Sequence, residues 1–331
     1  ALQTLFVEMN KLLQKYFGFD PATTTIRTEI IAGVSTFLTM AYILAVNPAI
    51  LGITGMDKGA LFATTAITSG IATLIMALYA KMPFGLAPGM GINAFFAYTV
   101  CLSMGHTWQF ALTAVLLEGL IFILLTVTNV REKIVYSLPP SIQKAIGVGI
   151  GLFIAFIGLQ NAKLVIGNKS TLVSITNFTK DFHTAGICSL LAVIGLLITV
   201  ILYIKKVPGS ILIGILATWV IGMLCQITGI YVPDFKTGYY SLFPTFAMTD
   251  FSKLGETFGK CFQYDLGKVG IFNFIAVVLS FLFVDLFDTL GTLVGVSTKA
   301  GMLNEEGKLP GIKPALMADA VATTAGAVLG T

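Results

Sequence analysis

The stretch "IFNFIAVVLSFLFVDLFDTLGTLVG", residues 271–295, decides the fold class. Its first fourteen residues carry only Asn273 and Ser280 as polar groups. As a helix the run is longer than the roughly 30 Å hydrocarbon core of a bilayer. Two acids, Asp285 and Asp288, lie inside it. A carboxylate at mid-bilayer costs about 3 kcal/mol or more, so such groups face a cavity or a partner and mark a pathway. Their spacing is i, i+3, and Thr289 and Thr292 continue the same helix face. The product is one polar stripe, Asp285–Asp288–Thr289–Thr292, on an otherwise apolar helix. Gly291 sits beside it, where a ligand could approach the backbone.

Outward from this stretch, comparable apolar runs recur near 29–50, 59–80, 84–103, 108–129, 139–160, 184–204, 208–229 and 312–330. Hydrophobic residues make up 56% of the chain and charged residues 11%; mean hydropathy is +0.90. A soluble domain carries about 25% charged residues, so this chain cannot cover itself with a water-compatible surface. It reads as an all-α polytopic membrane protein of about nine spans. Ahead of the first span, "ALQTLFVEMNKLLQKYFGFDPATTTIRTE" has no small-residue cleavage site and reads as an amphipathic helix on the membrane surface. The formal charge of +4 is explained by topology rather than by nucleic acid. With a cytoplasmic N-terminus, twelve of the twenty Lys and Arg residues, Lys81 and Arg131 among them, fall inside, and every short loop but the one with Lys58 obeys the positive-inside rule.

One run is irregular. "MPFGLAPGMGINAFFAYTV" (82–100) carries two prolines and three glycines in its first ten residues, which an uninterrupted helix does not tolerate. Unwound backbone at membrane depth survives only where protein or a water-filled cavity satisfies it, and transporters build substrate sites there. The glycine-spaced segment "IGVGIGLFIAFIGL" (146–159) predicts close helix packing.

An ionised carboxylate only accepts hydrogen bonds, and its two oxygens can take two parallel N–H donors. That suits a flat heterocycle with adjacent donors, such as a guanine-type N1–H and 2-amino edge. A buried carboxylate can also hold a proton and release it when water enters. Of the other acids in or at the edge of spans, Glu118 pairs with another span or lies in a proton path, and Asp319 caps its helix or pairs across the bundle. His106 and His183 fall at a span boundary and in a loop. Cys101, Cys188, Cys225 and Cys261 have no metal-type spacing, and neither HExxH, CxxC nor a P-loop is present. No enzyme, metal or cofactor is expected.

Four segments then fit a known pattern: "TFLTMAYILAVNP", "APGMGINAFFAYTV", "FDTLGTLVGV" and "DAVATTAGAVLGT". From about residue 24 onward the chain resembles the nucleobase–ascorbate (xanthine/uracil permease) transporters, in their AzgA-like guanine/hypoxanthine permease branch. The resemblance implies a 7+7 inverted-repeat fold with core and gate domains and short strands in broken spans three and ten. On that frame 1–135 is the first part of the core, 136–230 the gate, 231–270 an extracellular or periplasmic connection, and 271–331 the second part of the core. It implies a secondary active importer of purine nucleobases, guanine or hypoxanthine first, driven by proton symport with an elevator-type movement in the cytoplasmic membrane. The eighth-span acid that contacts the purine maps to Asp288, and the third-span contact to Asn93, with Phe95 or Phe96 stacking on the ring. Gly91, Ala94, Thr289 and Thr292 complete the expected site; Asp288, Glu118 and Asp285 are the proton-coupling candidates. The family's second carboxylate lies beyond Thr331, so transport is expected only from a longer chain. The implied partners are a purine, protons and the bilayer, without nucleic acid, and a homodimer is compatible with the pattern. The alternative is a channel or facilitator for a small anion or neutral solute. The residues leave open which purine is preferred and whether proton or sodium is coupled.

Overall fold

A computed structural model describes residues 2–331 except 23, 138, 180, 235–237, 245–250, 265–269 and 306–307. Helices form where the apolar runs lie: α1 (Leu2–Phe17), α2 (Ile26–Met40), α3 (Ile43–Leu51), α4 (Lys58–Ile75), α5 (Met90–Ala94), α6 (Trp108–Val127), α7 (Val130–Ser137), α8 (Pro140–Asn161), α9 (Ile187–Ile204), α10 (Ser210–Ile227), α11 (Ile271–Lys299) and α12 (Ile312–Leu329). Two short strands, β1 (Val165–Asn168) and β2 (Leu172–Ile175), pair antiparallel as a hairpin with Val165 opposite Ile175. Among the described residues, seven helices are long and apolar enough to cross a membrane: Ile26–Thr54, Lys58–Ala80, Trp108–Val127, Phe182–Ile204, Ser210–Ile227, Ile271–Lys299 and Ile312–Leu329. The predicted runs at 84–103 and 139–160 yield the shorter apolar helices Met90–Ser103 and Gly151–Asn161. Lys180, Lys236 and Lys268 of the charge tally, and parts of 231–270, lie outside the described residues.

The chain divides into two compact units. The first comprises Ala1–Gly33, Ile43–Ile150 and Thr249–Thr331. At its centre α12 packs against α6 and α4, and α6 packs against α11 as well. The approach to α12 is close because residue 119 is glycine: a Cβ there would sit 2.5 Å from Thr324 Oγ1 and 3.0 Å from the Thr324 backbone nitrogen. Ring contacts fill the adjoining core, with Phe110 edge-on to Tyr264 and Phe274 and Phe281 edge-on to Phe95 at 5.0 Å. Helix α4 starts at an aspartate cap: Asp57 accepts from the Ala60 N–H at 2.9 Å and from Lys253 at 3.2 Å. The backbone hydrogen bond first, and the lysine second, hold its carboxyl below the usual range.

The second unit comprises Val34–Tyr42 and Gly151–Met248. Here α9 and α10 pack as an antiparallel pair through reciprocal notches. Gly195 lies against Thr218, and Gly214 against Thr199, so a side chain at either glycine would strike the threonine opposite. Each threonine hydroxyl donates back to its own helix, Thr199 to the Gly195 carbonyl (2.8 Å) and Thr218 to the Gly214 carbonyl (2.7 Å). Trp219 Nε1 donates to the Leu242 carbonyl at 2.8 Å, which ties the chain after α10 back onto it.

Two expectations are corrected. Among the described glycines of the glycine-spaced run, Gly149, Gly151 and Gly158 form no packing seam, since a Cβ at each would meet open space. Small residues permit close approach without compelling it, and the close approaches occur at Gly119, Gly195 and Gly214 instead. Nor does the broken third span contain a strand. Residues 81–89 lack regular structure, and among the described residues no second extended segment is hydrogen-bonded to them.

Candidate functional site

The unwound segment is held by a side chain acting as a strand edge. Thr73 of α4 accepts from the Leu86 N–H at 3.0 Å and donates to the Leu86 carbonyl at 3.2 Å, so its hydroxyl satisfies both backbone groups of one residue. This is the compensation that irregular backbone needs at membrane depth. The chain then turns into α5 at Gly89, and the helix continues through a π-helical stretch from Phe95 to Ser103.

Gly89 is where the two halves of the site meet. A Cβ at this position would lie 2.7 Å from Asp288 Oδ2 and 3.3 Å from Ile92 Cδ1. Only glycine therefore lets the unwound backbone and the α11 carboxylate approach this closely. Between them opens a cavity of about 230 Å³, near the lower end of the range for small-molecule sites. Asp285, Asp288, Thr289 and Thr292 all reach its wall, and Asn93 of α5 faces them. Thr292 donates to the carbonyls of Asp288 (2.9 Å) and Thr289 (3.1 Å), which keeps its hydroxyl on the helix.

Asn93 is fixed from behind. Its Nδ2 donates to Oδ1 of Asn47, a wholly buried residue of α3. Asn47 Nδ2 in turn donates to Thr65 Oγ1 (2.7 Å) and Thr331 Oγ1 (2.9 Å), and the two threonine hydroxyls are 2.9 Å apart. The network joins α3, α4, α5 and Thr331, two residues beyond α12, and it sets the rotation of the Asn93 amide. Asn47 was not singled out from sequence, although an asparagine before a proline within an apolar run was the available signal.

A second network holds Thr289 and Asp319. Arg131, wholly buried in α7, donates from Nη2 to Asp319 Oδ2 at 2.8 Å and to Thr289 Oγ1 at 3.2 Å, and from Nη1 to the Leu316 carbonyl at 3.0 Å. Its guanidinium also lies 4.0 Å from the centre of the Phe122 ring. The Thr289 hydroxyl hydrogen is shared between Asp285 Oδ1 (3.2 Å) and Asp319 Oδ2 (3.0 Å). Arg131, read from sequence as a loop charge, is thus an interior cation, and Asp319 pairs across the bundle as one of its two predicted roles required.

Some predicted site residues are placed elsewhere. Phe95 turns away from the cavity onto Phe281, and Phe96 is buried beside it. Among the described residues no aromatic ring lines the cavity; its flat apolar surfaces come from Leu86, Pro88, Ile92 and Val115. Phe95 is displaced because the helix register that aims Asn93 inward carries residues 95 and 96 into the aromatic core. Gly91 and Ala94 are buried behind the wall rather than on it, although a Cβ on Gly91 would still lie 3.8 Å from the Asp288 carboxyl carbon. Glu118 is buried next to Asp285, also off the wall.

Residues 27–331 match the model of xanthine/uracil permeases, described as the permease family. The guanine/hypoxanthine permease PbuG of Bacillus subtilis is 42% identical over 96% of this chain and 70% of its own length. PbuO, a guanine/hypoxanthine permease of the same organism, is 41% identical over 95% of this chain and 69% of its own. The adenine permease AdeP of Escherichia coli is 37% identical over 97% and 67%. With the apolar helices, the unwound third segment and acids on an interior cavity, these likenesses place the chain among transporters and not enzymes: it belongs to the permease family.

Proposed function

We propose that the protein imports purine nucleobases across the cytoplasmic membrane, guanine and hypoxanthine first, by proton symport. The observation that carries this reading is the Asp288 carboxylate, which faces the cavity against Gly89 and lies opposite Asn93. Asp288 takes the N–H edge of the purine in both oxygens, Asn93 supplies an amide to another edge, and Leu86, Pro88 and Ile92 sandwich the ring faces. The two compact units support a core moving against a gate in an elevator-type cycle on a 7+7 inverted-repeat frame, and the lysine and arginine tally supports a cytoplasmic N-terminus. The relatives named for guanine, hypoxanthine and adenine transport support the cargo class. A channel for small anions is disfavoured, because Asp285, Asp288 and Asp319 all reach the wall and like charges repel. Saturable uptake of labelled hypoxanthine, displaced by guanine and dependent on an inward pH gradient, is the expected result for the full chain; passive, unsaturable equilibration would favour a facilitator.

The glycine contact gives a sharper expectation. Gly89→Ala pushes a methyl group into the Asp288 carboxylate, an overpacking that costs about 1–3 kcal/mol where the neighbour cannot shift. Purine affinity should fall about ten- to hundredfold. Gly91→Ala makes only an ordinary van der Waals contact and should have a smaller effect. Equal dissociation constants for wild type and Gly89→Ala would show that the close approach is not needed for binding.

A further inference from the structure

The purine reading uses the cavity wall and leaves the groups behind it without a role. Glu118 of α6 is wholly buried, and neither of its carboxylate oxygens has a hydrogen-bond partner. Asp285 is 3% exposed; its Oδ1 accepts from Thr289, and its Oδ2 has no partner. The two side chains face each other within hydrogen-bonding reach, with Arg131 of α7, Asp319 of α12 and Asp288 of α11 as the other charged groups around them. Among the described residues Arg131 makes no hydrogen bond to either acid: its Nη1 donates to the Leu316 carbonyl, its Nη2 to Asp319 and Thr289, and its Nε has no partner. Two ionised carboxylates have no hydrogen to share, because each only accepts. One proton between them turns a repulsive contact into an O–H···O bond and satisfies Asp285 Oδ2 together with one Glu118 oxygen.

We propose that Glu118 and Asp285 jointly hold the coupling proton, directly behind the purine cavity. The proposal rests on the transport reading and names the site of its driving ion. Asp285 is the link to the cargo: it reaches the cavity wall and lies one helical turn from Asp288, whereas Glu118 is closed off from the cavity. With the proton in place the pair carries one negative charge instead of two, so its repulsion of the Asp288 carboxylate on the same turn is weaker and Asp288 stays ionised to accept from the purine. Purine and proton therefore favour each other's binding, by the same factor in both directions. The proton arrives from water through the cavity and leaves the same way once the cavity faces the other side and the purine has departed.

The test measures hypoxanthine affinity of the purified full chain against pH. If binding takes up one proton, the dissociation constant of the wild type rises about tenfold per pH unit on the alkaline side of the pair's titration. Glu118→Gln keeps the shape and supplies a fixed N–H donor to Asp285, so its affinity should lose that slope. In vesicles, its pH-gradient-driven accumulation should collapse to equilibration. Asp285→Asn should lose the slope as well, and it carries the test should Glu118→Gln fail to fold by thermal unfolding in detergent. Replacing sodium by choline should change nothing. A wild-type slope that persists in the folded variants, a wild type with no slope, or a requirement for sodium each overturns the proposal while purine binding stands. Absence of purine binding by the wild type sinks the transport reading itself.

Discussion

Asp288→Asn is expected to lower purine affinity by at least about a hundredfold and to abolish uptake at substrate concentrations that saturate the wild type. The carboxylate offers two acceptors, and hydrogen bonds to a charged group contribute about 1.5–3 kcal/mol each. Asparagine retains one acceptor and turns a donor toward the other purine N–H, so one bond survives as a weaker neutral one and the other becomes a donor–donor clash. At about 1.4 kcal/mol per decade, one lost bond to a charged group together with about 1–3 kcal/mol for the purine donor left unsatisfied amounts to about two or more decades of affinity. The variant should fold normally: the change is isosteric, and the hydrogen bond from Thr292 runs to the Asp288 backbone carbonyl, which asparagine keeps. A binding isotherm for labelled hypoxanthine separates the cases. Loss of affinity with unchanged thermal unfolding assigns Asp288 to the cargo. Unchanged affinity removes the centre of the proposed site.

The cavity was legible in sequence because its determinants are local. Asp285, Asp288, Thr289 and Thr292 share one helix face by spacing alone, and prolines and glycines before Met90 forbid a helix whatever the rest of the chain does. What positions these residues was not legible. Arg131 meets Asp319 across 188 positions, and in "NVREK" it looks like any charge at the end of a span. Asn47 and Thr331 meet across 284 positions. Periodicity reports which face of a helix is polar, and it is silent about which other helix will stand opposite. The orientation of Phe95 failed for the same reason. A ring two residues past Asn93 was free to stack on a ligand or on the protein, and Phe281 settled the matter. Glycine spacing misled in α8 and went unremarked at Gly119, where a single threonine on the opposing helix makes the notch indispensable.

The same partner-dependence sets the second large effect. Arg131→Ala is expected to destabilise the protein by about 3–5 kcal/mol, the range for removing one member of a buried ion pair. Three losses coincide: Asp319 keeps its charge without a cation, the Leu316 carbonyl and Thr289 lose a donor, and the space against Phe122 empties. The carboxylate is the largest of these, although its side chain is 21% exposed and the cavity can hydrate part of it. The damage should therefore be conditional on Asp319. In an Asp319→Asn background the substitution Arg131→Met, which fills the volume without charge, should cost far less than in the wild type. The difference between the two backgrounds measures the coupling directly. Thermal unfolding of the four proteins in detergent supplies the cycle. If Arg131→Met were equally harmful with and without the Asp319 carboxylate, the arginine would act by packing alone. Thr289 and Asp285 would then owe their position on the cavity wall to something other than this interior cation.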